Sequence, residues 1–202
     1  MTRSTTAALA LTTLALALAC NRGGEGDGAA TPGQTAAADT NACVTGMPTI
    51  TAGGVGPVRL GATLADVATR CEVRDTSFTL GEGLEENGRV VALDGSTVVV
   101  LTDAAGRVTR IIVEDPSLRT ERGLGVGSTV GELRRQHGQV CGDVAEGILV
   151  VSSASVGPIT FATDADVRVA RRGASINADA IPESARITSL WVHEGRALCG
   201  AS

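Results

Sequence analysis

The sequence predicts an α+β fold of two tandem repeats, each a short helix packed on an antiparallel β-meander. Two observations predict this fold. Segments 61–67 and 127–133 both place a threonine before a short apolar helix pattern, with an acidic residue three positions later, as at a capped helix N-terminus. Short apolar stretches separated by turn residues follow each segment. We expect the first repeat to cover residues 43–121 and the second to cover 122–202.

Residues 1–19 are predicted to be an export signal. Arg3 precedes an apolar run, 7–19, that only threonine interrupts. A helix of this length rises about 20 Å, which is less than the ~30 Å thickness of a hydrocarbon core. The run therefore fits a signal segment better than a permanent membrane span.

The junction at 16–20, Leu-Ala-Leu-Ala-Cys, resembles a bacterial lipobox. The resemblance implies that Cys20 is diacylated on sulfur and becomes the mature N-terminus, which anchors the protein to a membrane. Ala17 and Leu18 depart from the commonest order, a large aliphatic residue followed by a small one. The alternative is an ordinary secretory signal, which would leave Cys20 as a plain thiol. Asn21, in place of Asp, resembles lipoproteins sorted to the outer membrane, so we expect the anchor on its periplasmic face.

Residues 20–42 are predicted to be a flexible tether that carries the lipid on Cys20. From Asn21 onward this stretch has no large aliphatic side chain, so it buries too little surface to offset its chain entropy. A Gly-rich coil of this length spans about 25 Å, which lets the folded body hang clear of the membrane.

Composition limits both the core and the partners. The chain has two Phe, one Trp and no Tyr, so Val, Leu and Ile must supply most large core side chains. The net charge is −5 and every basic residue is Arg. Because no basic stripe is present, nucleic acid is a poor candidate partner.

Four cysteines follow the tether: Cys43, Cys71, Cys141 and Cys199. An even number in an exported chain predicts disulfides, and sequence alone permits three pairings. The proposed duplication favours Cys43 with Cys71 and Cys141 with Cys199. A zinc site is the alternative, but it requires close Cys or His spacing that the chain lacks, so we predict no metal and no cofactor.

The first repeat reads as a helix followed by four strands. Leu64, Val67, Ala68 and Cys71 form one apolar helix stripe. Asn-Gly and Asp-Gly pairs favour tight hairpins, so we place turns at 87–88 and 94–95, and a longer turn at 103–106. The predicted strands cover about 78–84, 90–93, 98–101 and 108–113.

The second repeat follows the same order less closely. A short strand at 124–126 precedes the helix stripe of Val130, Leu133 and His137, and Gly138 ends the helix. The predicted strands cover 148–151, 159–162 and 186–192. Most of the added length lies at 164–183, which we call the insertion. An insertion in one copy of a repeat is a place where a specific function is added.

The insertion contains the basic trio Arg168, Arg171 and Arg172. These arginines and Trp191 are the candidate partner-binding residues, although a solvated loop is the simpler interpretation of the trio. The acidic run at 82–86 is interpreted as a solvated hairpin tip, because it lacks calcium-loop spacing.

Catalytic signals are weak. No Ser or Cys stands in a nucleophile motif, and a phosphate-binding loop would need a lysine that the chain lacks. His137 lies where a helix dipole favours it, and His193 lies at a strand end. We therefore predict no enzyme and no catalytic residues.

The two capped segments, Gly-Ala-Thr-Leu-Ala-Asp-Val at 61–67 and Gly-Ser-Thr-Val-Gly-Glu-Leu at 127–133, resemble the small periplasmic unit of BamE (SmpA/OmlA)-type lipoproteins. In tandem they resemble the arrangement of beta-lactamase inhibitory proteins. The methionine usual after the first glycine is Ala62 or Ser128 here, and three aromatics cannot build the inhibitors' aromatic surface. The resemblance therefore implies the fold and no binding residues.

We expect a lipid-anchored cell-envelope protein that acts as a non-enzymatic protein-binding or envelope-assembly module. The alternative is an extracytoplasmic enzyme or small-ligand sensor with a pocket between the repeats, near His137 and His193. The alternative requires both histidines, or one histidine with several carboxylates, to converge in a concave site. A purely structural spacer would show neither a pocket nor an exposed binding surface.

Overall fold

The structure, a computed structural model, describes residues 43, 46–79, 85–195 and 198–199. The predicted export signal, Cys20 and the tether lie outside these residues. The described part is mostly β-structure, with fourteen strands in three sheets and three short helices. None of the helices in the described ranges is long and apolar enough to cross a membrane.

The first half contributes β1 (Thr49–Thr51), β2 (Gly54–Val55), β3 (Val58–Arg59), α1 (Leu64–Ala68), β4 (Val73–Thr79), β5 (Glu85–Leu93), β6 (Ser96–Thr102), β7 (Val108–Val113) and β8 (Arg119–Thr120). The second half contributes α2 (Val130–His137), β9 (Cys141–Ala145), β10 (Ile148–Ser152), β11 (Ile159–Thr163), α3 (Val167–Ala170), β12 (Arg171–Arg172), β13 (Ser175–Ile176) and β14 (Ile187–His193).

One antiparallel sheet of eight strands organises the fold, in the order β4-β5-β6-β7-β14-β11-β10-β9. Its centre is the pair β7 and β14, which aligns Val113 with Leu190 and Arg110 with His193. The prediction of an α+β fold of two helix-on-meander repeats is therefore wrong. The strands expected to form two meanders are hydrogen-bonded into one continuous sheet, and α1 and α3 have only five and four residues.

The two capped segments are attached to this sheet in the same way. Gly61 N–H donates to Val108 O over 2.8 Å, and Gly127 N–H donates to Ile187 O over 2.8 Å. Thr63 and Thr129 then bridge to Arg107 and Arg186, the residues just before β7 and β14. The two capped segments that suggested a duplication are therefore present in the structure, but both are attached to one sheet.

The N-terminal caps of α1 and α2 differ because the Asp66 side chain is one methylene shorter than the Glu132 side chain. Thr129 Oγ1 accepts the Glu132 N–H at 3.2 Å, and Glu132 Oε2 accepts the Thr129 N–H at 2.7 Å, so the predicted capping box of α2 is complete. In α1 the shorter Asp66 carboxylate accepts the Thr63 hydroxyl at 2.7 Å instead. The α2 cap therefore satisfies one more backbone donor than the α1 cap.

Side chains alternate between two apolar clusters, one on each face of the large sheet. On the core face, residues such as Val100, Val151 and Leu190 pack with Val67 of α1 and Leu133 of α2, and all five are buried. The opposite face, called the back face, carries a smaller cluster. It consists of Leu101, Ile112, Val150, Ala162 and Trp191.

A second sheet, β3-β2-β1-β8, was missed by the sequence analysis. Its strands have two or three residues, too few for alternation to be recognised. The parallel pair of β1 and β8 aligns Ile50 with Thr120. Conversely, the strand predicted at 124–126 is absent, and Leu124 is a buried loop residue there.

The turn predicted at Asn87–Gly88 is also wrong, because both residues lie inside β5. Gly88 is buried on the back face, where a Cβ atom would lie 3.0 Å from Val99 Cγ1 and 3.1 Å from Phe78 Cε1. The glycine therefore permits close packing and does not mark a hairpin. The predicted turn at Asp94–Gly95 is confirmed, with Gly95 at a φ of 79°.

Two disulfides join the four cysteines of the folded body. Cys43 is bonded to Cys71 and Cys141 to Cys199, so the prediction of disulfides is confirmed, and this is the pairing that the duplication favours. Disulfides persist in oxidising compartments, which indicates an extracytoplasmic location.

Candidate functional site

The insertion folds as a small cap at one end of the large sheet. It contains α3, the β12–β13 hairpin, which aligns Arg171 with Ile176, and a 3₁₀ turn at Ala178–Ala180. Asp166 is the N-cap of α3 and accepts the Arg168 N–H at 2.9 Å. The solvated loop, which was the simpler interpretation of the arginine trio, is thus a short helix followed by a hairpin.

Apolar and polar contacts hold the insertion in place. Ala170 and Ile181 are buried in the main core. Ile176 packs over Gly142 of β9, so closely that a Cβ atom on Gly142 would lie 2.7 Å from Cγ2 of Ile176. Arg134 of α2 donates to Ala178 O at 2.7 Å and to Ile181 O at 3.2 Å. The insertion therefore presents its outer side chains from an ordered base.

Those outer side chains are basic and partly apolar. Arg171 and Arg172 are exposed and take part in none of the ion pairs found in the described ranges. Val169 is 42% exposed, and within the described part only Met47, at 74%, is another large hydrophobic residue that is exposed. We call Val169, Arg171 and Arg172 the insertion surface.

Arg168 is the exception among the three predicted arginines. Its Nε donates to both carboxylate oxygens of Asp166, at 2.9 and 3.0 Å. The hydrogen bonds from the Arg168 side chain and backbone, helped by its positive charge, lower the pKa of Asp166 to about 2. Arg168 is therefore already neutralised and contributes less to the charge of the insertion surface.

Trp191, the fourth candidate partner-binding residue, lies in the back-face cluster and is 6% exposed. Its Nε1–H donates to Ser189 Oγ at 2.9 Å. The guanidinium carbon of Arg110 lies 5.5 Å from the centre of the ring, within the range of a cation–π contact. These contacts give Trp191 a packing role, so the structure does not place it in the insertion surface.

A cavity of about 270 Å³ lies where the small sheet meets the end of α2. Its lining includes Thr120 and Arg122 from the β8 turn, His137 from α2 and Ser155 from the loop before β11. Buried aliphatic side chains, Ile50 and Ile159, also line it.

His137 is fixed at this cavity by its serine neighbours. Its Nδ1 lies 2.9 Å from Ser155 Oγ, and its backbone oxygen accepts from Ser153 Oγ at 3.0 Å. Burial, and then the nearby positive charge of Arg122, lower the pKa of His137 below its ordinary value. The imidazole is therefore mainly neutral at pH 7.

The two histidines do not converge. His193 Nε2 lies 2.9 Å from Thr160 Oγ1, and His193 is not among the residues that line the His137 cavity. Glu121 is the only carboxylate residue of that lining. Within the described ranges, no three His, Cys, Asp or Glu side chains group as metal ligands would. The geometry that the enzyme alternative requires is thus not formed by these residues.

Comparison with known proteins finds similarity to a solved structure and to no protein family. No protein-family profile and no curated protein sequence matches the chain. The crystal structure of the uncharacterized protein YfeY from Escherichia coli is similar at 16% identity and a TM-score of 0.49, and the match covers 72% of this chain and 99% of that one. Because YfeY is itself uncharacterized, this likeness says nothing about function.

Proposed function

We propose that the protein is a lipid-anchored, non-enzymatic binding module of the cell envelope that engages an acidic protein partner through the insertion surface. The disulfides already indicate an extracytoplasmic location. The lipid on Cys20, the periplasmic face of the outer membrane and the protein partner are the parts that we propose. The resemblance to BamE-type lipoproteins points in the same direction and remains a prediction.

One observation supports the partner-binding role above the others. Val169 exposes an aliphatic side chain two residues before Arg171 and Arg172, which form no ion pair with any residue that the structure describes. The base of this element is buried and hydrogen-bonded. An apolar contact next to positive charge fits a protein surface that carries carboxylates around a small apolar patch. An ordered base also reduces the entropy that binding must overcome.

The anchor is tested by the Cys20→Ser variant. We expect the wild-type chain to incorporate labelled palmitate and to sediment with membranes, and the variant to do neither and to appear in the soluble periplasmic fraction. A variant that still sediments after a high-salt wash would contradict the lipid anchor. Asn21→Asp tests sorting, since we expect that change to move the protein to the inner membrane.

The partner is tested by photo-crosslinking in intact cells. A photoreactive amino acid at Val169 should give a discrete crosslinked product, and the same residue at Met47, which is also exposed and apolar, should not. Adding Arg171→Glu and Arg172→Glu should abolish the product at Val169. The proposal fails if positions 169 and 47 crosslink alike, or if reversing both charges leaves the product unchanged.

A further inference from the structure

The cavity beside His137 is separate from the insertion surface and has features that a packing defect would lack. It combines an aliphatic floor, Ile50 and Ile159, with polar side chains at its rim. A purely structural void is usually apolar and dry, or small and filled by water. At about 270 Å³ this cavity has room for several non-hydrogen atoms.

His137, which lines the cavity, has a buried ring nitrogen, Nε2, without a hydrogen-bond partner in the described part. Buried polar atoms are paired in native structures, so an unpaired one indicates water or a ligand. Ser155 Oγ is nearer to His137 Nδ1, at 2.9 Å, than to His137 O, at 3.2 Å. If its hydroxyl donates to Nδ1, the neutral imidazole carries its proton on Nε2. That atom is closed to solvent, so donors for a ligand in the cavity must come from the rim.

Arg122 supplies further donors. One of its five N–H groups donates to Gln136 O at 2.6 Å, which fixes the guanidinium at the rim. None of the four ion pairs in the described ranges includes Arg122. Thr120 Oγ1 accepts the Leu124 N–H at 3.1 Å, so its own proton remains to be donated. The polar rim is therefore rich in donors.

From this arrangement we propose that the cavity binds a small carboxylate with a short aliphatic chain. The carboxylate would meet the guanidinium of Arg122, which matches it in a two-pronged geometry. The aliphatic chain would lie against Ile50 and Ile159, where burial removes it from water.

Two nearby groups favour a cation instead: the C-terminus of α2 and Glu121. The C-terminus of α2 carries partial negative charge, but its last carbonyl oxygens already accept hydrogen bonds from Arg122 and Ser153. Glu121 also lines the cavity, is exposed like Arg122, and forms no ion pair with it in the described part. Among the charged groups near His137, Arg122 is the one whose field reaches the imidazole.

The test uses three probes that share one six-carbon skeleton and differ in charge: 4-methylpentanoate, 4-methylpentan-1-ol and 4-methylpentan-1-amine. Each is titrated into the ¹⁵N-labelled full chain carrying Cys20→Ser, produced with both disulfides formed. We expect 4-methylpentanoate to cause saturable shifts of the Ala52, Arg122 and Ser155 amides, with the alcohol and the amine binding at least about tenfold more weakly.

Arg122→Gln should remove the preference for the acid over the alcohol, and Arg122→Lys should retain part of it. Arg70→Gln, an exposed arginine outside this cavity and outside the insertion surface, serves as the matched control and should behave as wild type. Preserved dispersion of the amide spectrum shows that each variant is folded. The proposal is overturned if the acid causes no saturable shift at the cavity, if the alcohol or amine binds as tightly, or if folded Arg122→Gln retains the preference.

Discussion

Arg110 and Glu146 form an ion pair across the back face, although strands β14 and β11 lie between them in the sheet. Nη1 of Arg110 lies 2.5 Å from Oε1 of Glu146, and Glu146 occupies the turn between β9 and β10. The sheet must therefore twist enough to bring this hairpin tip over β7. Glu146 has a φ of 55° and is the one non-glycine residue with positive φ in the described part.

The pair should contribute measurably to stability. Its two side chains are 31% and 20% exposed, so solvent screens them only in part. We expect Glu146→Gln to lower the free energy of unfolding by about 1 kcal/mol in urea denaturation. Glu72→Gln is the control, because its partner Arg74 lies 3.5 Å away and both side chains are about two thirds exposed. Equal losses of unfolding free energy in the two variants would show that the Arg110–Glu146 pair stabilises the fold no more than an exposed ion pair does.

The disulfides should stabilise the body by restricting the unfolded chain. They close loops with sequence separations of 28 and 58 residues, for which chain entropy predicts roughly 3.5 and 4 kcal/mol. Replacing Cys43 and Cys71 together, or Cys141 and Cys199 together, by serine should lower the free energy of unfolding by about these amounts. Urea denaturation without reductant measures this, and an unchanged midpoint for either double variant would contradict the prediction.

Two adjacent glycines at the β1–β2 turn should respond differently to alanine. Gly54 has a φ of 150°, and a Cβ atom on it would lie 2.1 Å from Val58 O. A Cβ atom on Gly53 would meet nothing within 4 Å. We expect Gly54→Ala to cost more than about 2 kcal/mol and Gly53→Ala less than about 0.5 kcal/mol. The thermal unfolding midpoints of the two variants provide the comparison. Similar midpoints would mean that the small sheet tolerates a shift of β3.

Stability should depend on pH through His137. Because its pKa is lower in the folded chain than the ordinary value of 6.5, the unfolded chain binds the proton more tightly. The contribution is complete above about pH 6.5 and is lost as the pH falls towards the lower folded pKa. His137→Gln should therefore flatten the pH dependence of the urea midpoint in this window.

NMR titration of the His137 ring measures the same pKa shift independently of stability. Arg122→Gln removes the positive charge that helps to lower the pKa of His137, so NMR titration of that ring should show a higher pKa than in wild type. Burial is the larger cause, so the pKa should stay below its ordinary value. Arg171→Gln should leave the titration unchanged. An unchanged His137 pKa in the Arg122→Gln variant would show that the charge of Arg122 does not contribute to the shift.

Local signals in the sequence predicted local structure well. Thr129 with Glu132, Gly138 and Asp94–Gly95 act within a few residues, and each is found at the predicted cap or turn. Their geometry depends on backbone hydrogen bonds between near neighbours, which sequence spacing specifies.

Contacts between distant residues were not predictable in this way. Nothing in the alternation of Val108–Val113 or Ile187–His193 says that these two strands pair with each other, because that choice depends on how both halves bury their core faces. Asn87–Gly88 shows the same limit, since packing against Val99 and Phe78 overrides the turn tendency of the pair. The His137 cavity depends on β1 and β8, whose few residues gave no periodic signal.

The centre of the sheet has a consequence for how the chain is made. β14 fills the position between β7 and β11, yet among the strands of the described part it is the last to leave the ribosome. A chain truncated before Ile187 would present two open hydrogen-bonding edges on either side of an empty slot, and such edges recruit strands from other molecules. Synthesis through His193 is therefore a condition for this protein to avoid aggregation, and loss of β14 should be far more harmful than its 7 residues imply.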